Sequence, residues 1–220
     1  MQLSYEYPAQ RKQNDAVRLA RWGIFTALLQ KGANAAVPPV GFNYPTLLQF
    51  SLSDIASLDE RHIYFVSSII SSYDTSSELV PILHRMYEHK KPYYSNDGDG
   101  GKRKRIFKQL LLKRPDLSDK KFDMIFPLIG WSPKISEEEL DTLIKYGVNV
   151  NGKDKYGRNA LYMLCSYIAQ NQSYLDSKSI NLLTGRIKYL LKHKVDKNCR
   201  VNMISITDME LPEVIMPLLQ

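Results

Sequence analysis

The residues of this chain that could carry chemistry are few and scattered. His62, His84, His89 and His193 are the only histidines, and Cys165 and Cys199 the only cysteines. A zinc site needs four nitrogen, sulfur or carboxylate ligands in a tetrahedron. His84 and His89 stand five residues apart, with no cysteine or carboxylate cluster to complete a set, so they are expected as surface side chains and no metal or cofactor is expected. Gly98-Asp99-Gly100-Gly101-Lys102 is rich in glycine, but it lacks the Gly-Lys-Ser/Thr element of a phosphate-binding loop and follows no strand. Cys165 falls on the apolar face of a predicted helix, where a thiol behaves as a small hydrophobe. Nothing assembles a nucleophile, a base and an oxyanion stabiliser, so no catalytic residue and no enzyme is expected.

Charge and aromatic residues point instead to binding. The net charge is +7, which favours an acidic partner. Lys102, Arg103, Lys104 and Arg105 form the densest basic run, followed by Lys108, Lys113 and Arg114. This run reads as an import signal or nucleic-acid patch, or else as a solvated helix start. Cations at a helix N-terminus oppose the macrodipole, which argues for a binding role. Fourteen tyrosines are many for this length, and Tyr93, Tyr94 and Tyr156 fall in predicted loops, where exposed aromatic rings serve as interface anchors or pack on a neighbouring helix. The candidate partner-binding residues are therefore Tyr93, Tyr94, Lys102, Arg103, Lys104, Arg105, Lys155, Tyr156 and Arg158. An acidic protein surface or a nuclear-import receptor is the expected partner. Nucleic acid comes second, because no flat stacking sheet is visible.

Helical periodicity positions these residues. Apolar positions predict helices over 47–58, 62–71, 79–86, 102–112 and 160–169, with an outer helix through Ile187, Leu190 and Leu191. Ser136 followed by Glu139 is a capping box. The clearest joint runs from Leu143 to Leu161: Gly147 stands where a helix needs a left-handed closing residue, and Asp154 precedes Gly157 as in an Asx-built turn. Similar closures are read at Gly32 and Lys194, spaced 115 and 47 residues from Gly147, although lysine is uncommon in the left-handed region. Residues 90–101 form the longest loop signal, and no turn motif recurs after Val201. No apolar run is long enough for a membrane span, and a segment of signal-peptide type is not expected. Two unpaired cysteines suit a reducing compartment, cytoplasmic or nuclear.

The joint resembles an ankyrin repeat: Gly147, Asn151, Asp154, Gly157 and Leu161 fall in the family's register without a gap. Asn159, Ala160 and Tyr162 stand where the family has Thr, Pro and His, which is expected to weaken the hydrogen bonds between neighbouring repeats. The segment 16–58 gives a second, looser match, with 137–169 the clearer one. The resemblance implies an all-α helical solenoid of about five degenerate repeats over a single domain, 1–220, with 201–220 as a capping segment. It implies a non-enzymatic protein-binding module acting through loops and a concave face. The irregular repeat lengths are similar to those of ankyrin proteins that intracellular bacterial pathogens or large DNA viruses deliver into host cells as effectors. The alternatives are a basic nucleic-acid-binding module and the binding half of a longer enzyme.

Overall fold

A computed structural model of the protein describes residues 23–24, 27–28, 30–31, 48, 60–72, 79–87, 100–113 and 116–220. Tyr93, Tyr94 and most of the segments 16–58 and 90–101 lie outside these residues. The chain is mostly helical: α1 (Glu60–Ser72), α2 (Leu79–Tyr87), α3 (Gly100–Leu112), α4 (Ile125–Ile129), α5 (Glu137–Lys145), α6 (Ala160–Asn171), α7 (Ser177–Lys192) and α8 (Met216–Leu219). Short 3-10 turns occupy Lys120–Phe122, Gln172–Tyr174 and Ile206–Asp208. Gly100 and Gly101, expected in the long loop, already belong to α3.

Each helix buries the stripe that its periodicity predicts. Ile63, Val66, Ile69 and Ile70 of α1 are buried while Tyr64 faces out, and Ile106, Phe107, Leu110 and Leu111 do the same for α3. Helix α6 buries Ala160, Leu161, Tyr162, Leu164, Cys165 and Ile168, a wider stripe than one contact needs. The packing explains this width, because α6 lies against α4, α7 and the 3-10 turn at Ile206–Asp208.

The contacts form two rows. In one, α2 packs on α4, α4 on α6, and α6 on the turn at Ile206–Asp208. In the other, α1 packs on α3; Lys104 of α3 reaches Glu138 of α5, and Tyr189 of α7 reaches Asp141 of α5. The pairs α2–α3 and α6–α7 join the rows. Alternation of helices between rows is what a repeated helix–turn–helix pattern requires to bury both faces of its inner members.

The second-row helices close alike. After α5 the Val148 N–H donates to the Leu143 carbonyl at 3.1 Å, with Gly147 at φ 90. After α7 the Val195 N–H donates to the Leu190 carbonyl at 3.1 Å, with Lys194 at φ 59. Both are Schellman closures, whose C′ residue must be left-handed. The closure at Lys194 therefore forms despite the wrong residue type, at a cost of about 1 kcal/mol. Gly147 has a second reason to be glycine: a β-carbon there would stand 3.3 Å from the Cβ and backbone N of Ser118.

An Asx turn opens each loop that follows. Asp116 accepts from the Ser118 amide at 2.9 Å, Asn149 from Asn151 at 3.0 Å, and Asp196 from Asn198 at 2.9 Å. These turns are 33 and 47 residues apart. The long interval read between Gly32 and Gly147 thus contains an Asx turn at Asp116, five residues beyond Leu111.

Beyond Val201 the structure holds a turn that the sequence reading lacks. β1 (Arg200–Val201) and β2 (Ile204–Ser205) pair antiparallel, Arg200 with Ser205 and Val201 with Ile204. Asn202 and Met203 connect them at φ 50 and φ 67, the signs of a type I′ turn. Leu211, Ile215 and Leu219 then return to the core.

Candidate binding surface

The loop between α5 and α6 is built around Asp154. Its Oδ1 accepts the Tyr156 and Arg158 amides, each at 2.9 Å, and its Oδ2 accepts Arg158 Nε at 2.8 Å and Nη2 at 2.7 Å. The Asp154 amide donates back to the Arg158 carbonyl at 2.9 Å, and Gly157 at φ 81 donates to the Asp154 carbonyl at 2.9 Å. The carboxylate is almost fully buried, so its charge is met within the loop while Lys153, Lys155 and Tyr156 are exposed. Tyr156 is 58% exposed. Its ring carries Lys155 Nζ on one contact and the Arg158 guanidinium on another, both 4.9 Å from the centroid. Cations against the ring restrict a side chain that is otherwise in water. Lys155, Tyr156 and Arg158 are thus brought together as a basic aromatic tip, and Lys153 beside them is exposed.

This loop is laced to the next one. Asn151 donates to the Lys194 carbonyl at 3.2 Å and accepts the Asp196 amide at 2.6 Å. Asn159 caps α6 by accepting from the Tyr162 amide at 2.8 Å and donates to the Asp196 carbonyl at 2.7 Å. Asn159 therefore supplies from one amide group both an acceptor for the cap and a donor for the neighbouring loop. Cys199 Sγ lies 3.5 Å from the Gly157 carbonyl, so Tyr156 and Arg200 each stand one residue from a direct contact. The preceding loop is joined through Leu117 N–H to the Tyr146 carbonyl at 2.6 Å and Asn149 to Asp123 at 3.3 Å. Gly152 sits where a β-carbon would be 2.0 Å from the Asp123 carbonyl oxygen, the closest such approach among the described glycines.

The basic run is placed elsewhere. Lys102, Arg103, Lys104 and Arg105 lie in the first turns of α3, away from the loop tips in sequence and on a helix of the second row. Arg103 is buried. Lys104 pairs with Glu138, and Lys108 approaches the same carboxylate at 4.0 Å. The Lys104 hydrogen bond holds Glu138 below the usual carboxylate range and raises Lys104. A carboxylate supplied by α5 therefore offsets the unfavourable placement of cations at the start of α3. Beneath it, Glu139 accepts from the Tyr87 hydroxyl at 2.7 Å and from the Ser136 amide and hydroxyl at 2.8 Å each, completing the predicted capping box inside a buried network. Burial, then the neighbouring Glu139 charge, raises the Tyr87 phenol well above its ordinary value.

Two groupings were not legible in the sequence. Asp141 Oδ1 accepts from the Tyr189 hydroxyl at 2.6 Å and lies 3.4 Å from His193 Nε2, with the Tyr189 and His193 rings 4.4 Å apart. The phenol is raised by burial and by its bond to Asp141. The other grouping is the β1–β2 hairpin, whose tip leaves Met203 95% exposed. Cys165 and Cys199 are both free and buried, and burial pushes the Cys165 thiol up to about 12, well away from thiolate chemistry at neutral pH. Among the described residues no group of three or more His, Cys, Asp or Glu could hold a metal ion, and no helix is long and apolar enough to cross a membrane. In comparisons with known proteins, no family model matches the sequence, and neither a curated protein nor a solved structure matches it.

Proposed function

We propose that this chain is a stack of degenerate ankyrin-like repeats that binds a partner protein through its loop tips, without catalysis of its own. The observation that carries the reading is the edge-to-edge lacing of successive loops, in which Asn151 and Asn159 bond the backbone at Lys194 and Asp196. Repeats joined in this way form one continuous surface from several short loops, as an extended interaction surface needs. The Asx turns at Asp116 and Asn149, 33 residues apart, support the repeat reading with the family's own period. Exposed Tyr156, with Lys155 and Arg158 against it, supplies an aromatic anchor with positive charge around it. An acidic protein face is the matching partner. The helical, partly paired state of Lys102–Arg105 favours the loops over an import signal as the binding element.

The test is affinity capture with mass spectrometry, comparing the full chain with a Lys155→Glu/Tyr156→Ala variant whose helicity is checked by circular dichroism. One protein should be captured by the parent and lost with the variant. Capture unaffected by the variant would remove the loop tips from the interface. Duplex DNA binding by the purified chain, with a log–log salt slope near −0.9 per phosphate neutralised, would instead favour the nucleic-acid reading.

A further inference from the structure

We propose that the β1–β2 hairpin is a preformed anchor, in which Met203 packs against apolar side chains of an acidic partner segment lying across the loops at 153–158 and 196–204. This rests on the loop surface being the protein-binding face. The first observation is backbone geometry. Asn202 at φ 50 and Met203 at φ 67 both occupy the left-handed region that a type I′ turn demands. Asparagine tolerates it, and the second position ordinarily takes glycine. An unbranched, bulky methionine there is an outlier of the kind that collects at functional sites.

The second observation is that the fold gains nothing from the side chain. Met203 is 95% exposed, so no packing within the described residues offsets its strained backbone. The hairpin register is set by the pairs Arg200 with Ser205 and Val201 with Ile204, and neither pair involves Met203. Ser205 and Asp208 pin the far end: Asp208 Oδ2 accepts from the Ser205 amide at 2.7 Å and hydroxyl at 2.6 Å. A thioether on a rigid hairpin tip is an adaptable apolar probe, able to fill irregular gaps on a partner. Ile204 and Tyr156, each half-exposed or more, extend the apolar contact.

The third observation is charge. Of the two acidic side chains of these loops, Asp154 is buried against Arg158, and Asp196 is exposed with one oxygen accepting the Asn198 amide. Lys153, Lys155 and Arg200 are exposed, and the first two form no ion pair among the described residues. In the two loops three exposed cations, Lys153, Lys155 and Arg200, outnumber the one exposed carboxylate, Asp196, so the surface is net positive with apolar projections and its complement is negative with apolar pockets. A phosphate backbone would satisfy the charge but would leave the methionine without a role.

Two fluorescein-labelled octapeptides test this by fluorescence anisotropy against the full chain: octaglutamate, and a peptide in which two leucine pairs replace four of the glutamates. The leucine-containing peptide should bind more tightly although it carries less charge. Met203→Gly should weaken its binding about tenfold, as loss of an interface anchor does, and leave octaglutamate unchanged. The same variant should raise the melting temperature by about 2–4 °C, because glycine relieves the left-handed turn. Asn202→Gly eases the turn without removing the thioether, and should bind like the parent. The proposal is overturned if neither peptide binds, if octaglutamate binds as well or better, or if Met203→Gly binds both peptides unchanged. In each of those cases the loop-surface reading still stands if captured protein depends on Lys155 and Tyr156, and falls with the anchor if it does not.

Discussion

At the scale of single residues, the backbone decides more here than the side chains do. Lys194 closes α7 from the left-handed region, and its carbonyl receives Asn151, so the residue is needed for its conformation and not for its ammonium group. Lys194→Gly should therefore stabilise the chain by about 0.5–1 kcal/mol, the left-handed penalty less the extra freedom of glycine when unfolded. A urea midpoint that moves down would mean that the lysine side chain has a structural partner. Gly152 is the opposite case. A β-carbon there meets the Asp123 carbonyl oxygen at 2.0 Å, a backbone atom that cannot swing aside as a side chain would. Gly152→Ala should cost about 1–3 kcal/mol through forced backbone shifts, and a melting temperature equal to the parent's would refute the close approach.

At the scale of elements, stability comes from helices buried between neighbours. Helix α6 touches α4, α7 and the turn at Ile206–Asp208, and Leu161 at its start is fully buried. Leu161→Ala should cost about 2–5 kcal/mol, and an unchanged denaturation midpoint would place that leucine outside the core. The link between α2, α3 and α5 is polar. Tyr87, edge-on to Phe107 with centroids 6.2 Å apart, donates to the buried Glu139. Tyr87→Phe keeps the ring and deletes a hydrogen bond to a charged group, a loss of about 1.5–3 kcal/mol. Native-state hydrogen exchange would show whether the loss is felt across α2 and α5 together, as a shared network predicts, or in α2 alone.

At the scale of the whole molecule, the carboxylates make the fold sensitive to acid. Hydrogen bonds hold four of them below their ordinary range: Glu138 by Lys104, Asp116 by the Ser118 amide, Asp119 by the Lys121 amide and Asp208 by the Ser205 hydroxyl. A group whose folded value is depressed contributes stability that is present above its unfolded value and is lost as pH falls through the folded one. The melting temperature should therefore be level from neutral pH down to about 4 and drop below it. Replacing Asp116 and Asp208 by asparagine should flatten that drop, and an equally steep drop would show that these bonds are not what acid breaks. Local features of this kind were readable from residue order alone, since a capping box at Ser136 and Glu139, an Asx turn at Asp154 and a left-handed Gly147 involve partners within a few positions. The helical stripes were readable for the same reason, because periodicity records which face is buried. The hairpin at Asn202-Met203 could not be found in this way, because it places a methionine in the left-handed position that glycine ordinarily takes. The bond from Asn159 to Asp196, the pairing of Lys104 with Glu138 and the meeting of Tyr189 with Asp141 join residues more than thirty positions apart. Only packing of the two helical rows decides such contacts, because loop closure and burial, not local propensity, bring those side chains within reach.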